Sequence, residues 1–133
     1  MKNRVVITGE GSISPLGHNS KSLWKSLLKG NSGIDYISGF NTKNFSVKIA
    51  GEVKDFEPIN FFDAKEARKL DRFTMFSLIA ASQALKSSKN NSSEAGVIVG
   101  TGVGGMHTLE EEHQKLLNKG QRGVSPFYVP KMI

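Results

Sequence analysis

Read at helical pitch, residues 72–87 (RFTMFSLIAASQALKS) put Phe73, Met75, Phe76, Leu78, Ile79, Ala80, Ala81, Ala84 and Leu85 around most of the circumference. A helix that is apolar on nearly every side has to be covered on nearly every side. The small residues Ala80, Ala81 and Ala84 also let another helix or a sheet come close. The chain offers two runs that read as covering strands. One is RVVIT at 4–8, β-branched and ended by Gly9, and the other is Ala95 to Val99. Both are expected as buried parallel strands, which makes the order strand, helix, excursion, buried helix, strand, helix an α/β pattern. Two strands cannot cover both sides of such a helix, and the apolar VPKMI at 129–133 has no polar finish. The 133 residues are therefore expected to begin a larger fold or to pack against another chain.

The remaining elements follow from periodicity and capping. Residues 19–29 place Leu23, Trp24, Leu27 and Leu28 on one helical face, with Asn19 or Ser20 as N-cap and Gly30 as the C′ residue. From Asn31 to Glu57 the chain is rich in Gly, Asn and Ser, a surface excursion with one short strand within 45–53. A helix over 56–70 ends in AKEARKL and puts Lys65, Arg68, Lys69 and Arg72 at i, i+3, i+4 and i+7, four cations on one face. A polar loop occupies 86–94, a polar helix runs from about Thr108 to Asn118, and 120–130 is irregular.

The chemistry is narrowed mostly by exclusion. Gly100, Gly102 and Gly105 spell G-x-G-x-x-G after an apolar run, the spacing that lets a backbone approach a pyrophosphate. A dinucleotide site also needs an acidic residue about 20 positions on, at the end of a strand. That position falls near Gly120 without a strand before it, so no dinucleotide is expected. Glu110 and His113 have the i, i+3 spacing of di-iron carboxylate bundles, but one copy is not a site, and His18 and His107 lack ligand partners at useful spacing. No G-x-S-x-G surrounds a serine, and Ser12 and Ser14 sit in a turn. There is no cysteine, hence no disulfide and no thiolate.

With 18 Lys and Arg against 12 Asp and Glu, the net charge of +6 suits an acidic partner. No block of five like charges and no aromatic ladder supports nucleic acid as that partner. No apolar run approaches the roughly 20 residues of a membrane span, and no signal peptide opens the chain, so a cytoplasmic location is expected.

Taken together, RVVITGEGSISPLG, the tryptophan helix with LLKGNSGI, AGEVKDF, AKEARKLDRF, VGTGVGGM with EEEH, and SPFYVP resemble the N-terminal part of beta-ketoacyl-acyl-carrier-protein synthases of the type II elongation kind. The resemblance runs essentially end to end. It implies the thiolase-like layered α/β/α/β/α fold, with residues 1–133 as an incomplete N-terminal portion of that family's N-terminal domain. It further implies a cysteine that takes the acyl chain as a thioester, and two histidines that assist decarboxylation and carbon–carbon bond formation, all beyond residue 133. A chain without cysteine would then have no condensing activity alone.

By the same resemblance, Val103 matches a gating side chain of the acyl tunnel. Phe127 and Tyr128 match aromatics near the dimer interface and the tunnel's far end, and Ile133 matches a tunnel-lining aliphatic. Lys65, Arg68 and Lys69 match the docking surface for acyl carrier protein, an acidic helical partner. Arg122 matches a second basic position, beside Gly123 where relatives often carry another cation. The loop at 86–95 is short for the family. Homodimerisation of the full-length enzyme is implied, with no cofactor, metal, nucleic acid or membrane. A polyketide ketosynthase fragment, a chain-length factor lacking the cysteine, and a non-catalytic truncated product remain as alternatives.

Overall fold

The computed structural model describes residues 4–88 and 94–133. The chain divides into two compact units: Met1–Phe56 with Ile79–Ser93, and Glu57–Leu78 with Glu94–Ile133. Of the loop expected at 86–95, residues 86–88 are instead the end of a helix, and 89–93, with them the loop's short length, lie outside the described residues.

In the first unit, α1 (Ser20–Leu28) forms where capping dictates. The Asn19 carboxamide oxygen accepts from the Ser22 N–H at 2.8 Å, and the Asn19 N–H donates to the Ser22 hydroxyl at 3.3 Å. This reciprocal box fixes the start, and Gly30, at φ 70°, follows the C-cap Lys29. The excursion contains two strands where one was expected: β1 (Ile34–Tyr36) pairs antiparallel with β2 (Ile49–Gly51), Ile34 opposite Gly51. The Glu52 carboxylate gathers the loop after β1 by accepting from the Ser38 N–H and hydroxyl and the Gly39 N–H, at 2.8 to 3.0 Å.

The long helix α3 (Arg72–Ser88) begins in the second unit and ends in the first. In the first unit its small residues admit the turn after residue 8. A Cβ on Gly11 would collide with the Ala80 carbonyl oxygen, so only glycine permits the approach. The turn is tied down by the Glu10 N–H to Ser87 Oγ and by the Ser12 N–H to Gln83 Oε1. Gln83 Nε2 then donates to the His18 carbonyl at 2.8 Å.

In the second unit, the single helix expected over 56–70 is broken into pieces. A 3-10 turn at Pro58–Asn60 comes first, then α2 (Ala64–Ala67). Asp63 starts α2 by accepting from the Lys65 and Glu66 N–H groups, and one turn later the backbone tightens to i→i−3 bonds at Lys69 and Leu70. Asp71 then restarts the chain as α3, its carbonyl accepting from the Met75 N–H. Two aspartates and a proline thus override helix-forming composition. Next come α4 (Met106–Lys119), a 3-10 turn at Gln121–Gly123 and α5 (Tyr128–Met132), a short helix where irregular chain was expected.

The two expected parallel strands do not form ladders. Residues 4–8 and 95–99 have no strand pairing among the described residues, and their side chains stand open: Val5 is 92% exposed, Ile7 93% and Ile98 99%. A parallel strand draws its hydrogen bonds from partners distant in sequence, and none is present among the described residues. The same deficit marks the helices. Met75 and Ile79 of α3 are buried, whereas Leu78 and Leu85 are exposed, as are Trp24 and Leu28 of α1.

Candidate functional site

The second unit holds an apolar pocket of about 270 Å3. Phe73, Thr74, Ser77 and Leu78 supply one wall from the first turns of α3, Val99 and Thr101 a second, and Ile133 a third. Ser77 turns its hydroxyl back to the Phe73 carbonyl at 2.9 Å, which satisfies the donor within the helix. The volume lies just under the range of small-molecule sites, about 300–1,000 Å3, so the cavity suits a short apolar segment.

Close in sequence to residues of each wall lies one polar knot. Asp71, the residue before α3, is buried, and its carboxylate accepts from the backbone N–H of Thr108 at 3.3 Å and from the Thr108 hydroxyl. Thr108 lies in the first turn of α4 and is 2% exposed. Gly105, the N-cap of α4, has no side chain to cap with, so Asp71 does this work from a distance. The Gly105 N–H donates to the Met132 carbonyl at 2.7 Å, one residue before Ile133. A Cβ on Gly105 would lie 2.8 Å from Asp71 Oδ2 and 2.9 Å from Met132 Cα. The last glycine of G-x-G-x-x-G therefore serves a close approach within the chain. The helix N-terminus that a pyrophosphate would require is engaged by Asp71.

Farther along α4, buried Glu112 accepts from the Ser125 N–H and from Lys115 Nζ, both at 2.6 Å. The Lys115 ammonium, and then the Ser125 N–H, hold the Glu112 carboxyl below the usual glutamate range, and Lys115 is raised in return. Ser125 Oγ accepts from the Phe127 N–H at 3.1 Å, so Glu112 anchors the segment that leads into α5. Glu110 and His113 are exposed, and no cluster of three or more potential metal ligands occurs among the described residues.

The structure treats the residues singled out from sequence unequally. Ile133 lines the pocket while remaining 75% exposed, whereas Val103, 68% exposed at the glycine turn, is not among the lining residues. Phe127 is exposed and lies under Lys69, whose Nζ is 5.5 Å from the ring centroid, an aromatic contact between two residues assigned to separate roles. Tyr128 is half-buried at the start of α5. Lys65, Arg68, Lys69 and Arg122 are all exposed. The four cations expected on one helical face, Lys65, Arg68, Lys69 and Arg72, do not share one helix, however. Lys65 belongs to α2, Arg68 is its C-cap, Lys69 lies in the tight turn, and Arg72 opens α3 with its guanidinium 5.2 Å from the Phe76 ring centroid.

Sequence reasoning missed Asp71, Thr108 and Glu112. Asp71 carried a signal, an aspartate immediately before an apolar helical run. Glu112 carried none, because a carboxylate in EEEH looks solvated.

Residues 2–133 match the model of the beta-ketoacyl synthase N-terminal domain. The chain belongs to the beta-ketoacyl synthase family. It is 46% identical over 135 aligned residues to the 3-oxoacyl-[acyl-carrier-protein] synthase 2 of Staphylococcus aureus (strain COL), covering 98% of this chain and 33% of that protein. The enzyme of the same name from Vibrio cholerae is 45% identical over 137 residues, covering 99% and 33%. Among solved structures, the ishigamide ketosynthase/chain length factor superposes with a TM-score of 0.82 at 27% identity, covering 100% of this chain and 34% of that one. The ketosynthase of AntDE:AntF, a type II polyketide synthase complex with acyl-carrier protein, matches the fold with a TM-score of 0.76 at 23% identity, covering 99% and 35%. The beta-ketoacyl synthase segment thus spans about a third of these relatives. Its fold is the N-terminal part of the thiolase-like ketosynthase arrangement, as the motifs implied.

Proposed function

We propose that the protein bearing this segment catalyses decarboxylative condensation of an acyl thioester with malonyl-acyl carrier protein, the chain-extending step of fatty-acid synthesis. The observation that carries this reading is an apolar pocket, lined in part by Ile133, in a chain similar almost end to end to 3-oxoacyl-[acyl-carrier-protein] synthase 2. The segment contributes binding: the pocket takes part of the acyl chain, with Val103 at its approach and Phe127 and Tyr128 beside the route. Lys65, Arg68, Lys69 and Arg122 attract an acidic carrier protein. It does not contribute the nucleophile. Thioester exchange calls for a thiolate, and these 133 residues contain no cysteine. Dimerisation and a cytoplasmic location belong to the same reading by family.

The test is product formation from acyl- and malonyl-carrier protein. The full-length protein is expected to yield the beta-ketoacyl product, and the 133-residue chain alone to give no more than a no-enzyme control. Turnover by the segment alone would overturn its assignment as a binding portion. A full-length protein that is silent until mixed with a cysteine-bearing ketosynthase would replace the enzyme reading with that of a chain-length factor.

A further inference from the structure

We infer that Asp71, acting through Thr108, is a positioning residue that sets the shape of the acyl pocket and hence which chain lengths the enzyme accepts; this rests on the condensing function proposed above. The argument is one of adjacency. Each pocket wall is a close chain neighbour of the knot that Asp71 ties. Phe73 and Thr74 follow it on α3, Thr101 leads into the turn ended by Gly105, and Ile133 follows Met132, whose carbonyl holds the Gly105 N–H. The Gly104 N–H donates to Thr101 Oγ1 at 3.1 Å, so the turn is coupled from the pocket wall to the start of α4. At that start, the Thr108 N–H and hydroxyl both converge on Asp71 Oδ2.

A carboxylate at a helix N-terminus is favoured by the exposed N–H groups and by the macrodipole, and charge-assisted hydrogen bonds are the stronger kind. The knot is tied by directional hydrogen bonds, from Thr108 to Asp71 and from Gly105 to Met132, and their geometry sets the spacing of the walls. Asp71 does not itself line the pocket.

The experiment uses the full-length protein with Thr108→Val, Thr108→Ser and Asp71→Asn, and measures kcat and KM over a series of acyl thioesters from short to long. Valine removes the hydroxyl at nearly constant shape, serine restores it, and asparagine keeps the shape while removing the charge. Thr108→Val and Asp71→Asn are expected to raise KM for the longest substrates about tenfold, with the shortest substrate unchanged and Thr108→Ser close to the parent. A uniform loss across all lengths, a parent-like Thr108→Val profile, or failure of both Thr108→Val and Asp71→Asn to fold would overturn the inference.

Should the parent condense no acyl thioester at all, the proposed function falls, and the positioning role is read from binding of a fluorescent fatty acid. Weaker binding by Thr108→Val than by Thr108→Ser upholds it. Equal binding sinks it.

Discussion

Glu112 is held by two donors at 2.6 Å on a helix whose neighbouring carboxylates face water, so its titration reports on the fold. Its carboxyl is depressed, by Lys115 first and by the Ser125 N–H second, from the ordinary value of 4.5. A depressed folded-state value stabilises only while the group is ionised: the contribution is complete above the unfolded value and is lost as pH falls through the folded one. Glu112→Gln should therefore lower the urea midpoint of the full-length protein near neutrality, with the gap to the parent closing below about pH 4.5. A gap that stays constant across that range would exclude this ionisation as the cause. Glycines supply a second contrast at the same scale. Gly105→Ala forces a methyl against Asp71 and Met132 and is expected to cost about 1–3 kcal/mol. Gly102 has open space around it, so Gly102→Ala should stay within about 0.5 kcal/mol of the parent. Equal midpoints for the two variants would contradict the packing described. Periodicity could not separate these residues, since a glycine run shows where the backbone turns and not which glycine is crowded.

Among the elements, α1 was legible to its ends because Asn19, Ser22 and Gly30 state both boundaries locally. The region after Phe56 was not. Its residues favour helix one by one, but Asp63 and Asp71 each start a helix of their own, and a cap acts on backbone donors that periodicity does not weigh. The break changes how the cations can be tested. Lys69 lies over Phe127, whereas Lys65 stands on α2 exposed to solvent. Lys65→Glu is thus the cleaner probe of carrier docking, and Lys69→Glu also removes a cation–aromatic contact worth about 0.5–1 kcal/mol at an exposed site. With both reversed, the KM for carrier-bound substrate should rise roughly tenfold or more at low salt and less at high salt. Small thioester mimics, which need no docking, should be nearly unaffected. Equal loss for both substrate types would point to damage of the fold or active site, and no loss for either would mark these cations as ordinary solvated surface.

For the molecule as a whole, the α/β class was legible from the order of its segments, and the family from motifs in sequence. Strand pairing was not, because RVVIT and AGVIV state that they are buried without stating against what. Expressed as 133 residues, the chain should bind a hydrophobic dye or aggregate, given open Val5, Ile7, Ile98 and Leu85. A sharp, monomeric two-state melt without dye binding would refute this. The unpaired runs also bear on biogenesis. In a protein of the relatives' length, both leave the ribosome before most of the polypeptide exists, as β-branched segments with nothing yet to pair with. Such segments seed aggregation unless charged flanks interrupt them, and Arg4 and Glu94 stand at the N-terminal side of the two runs. Arg4→Val and Glu94→Val are accordingly expected to lower the soluble yield while leaving the specific activity of the soluble fraction intact, so that these two charges guard synthesis and have no part in catalysis.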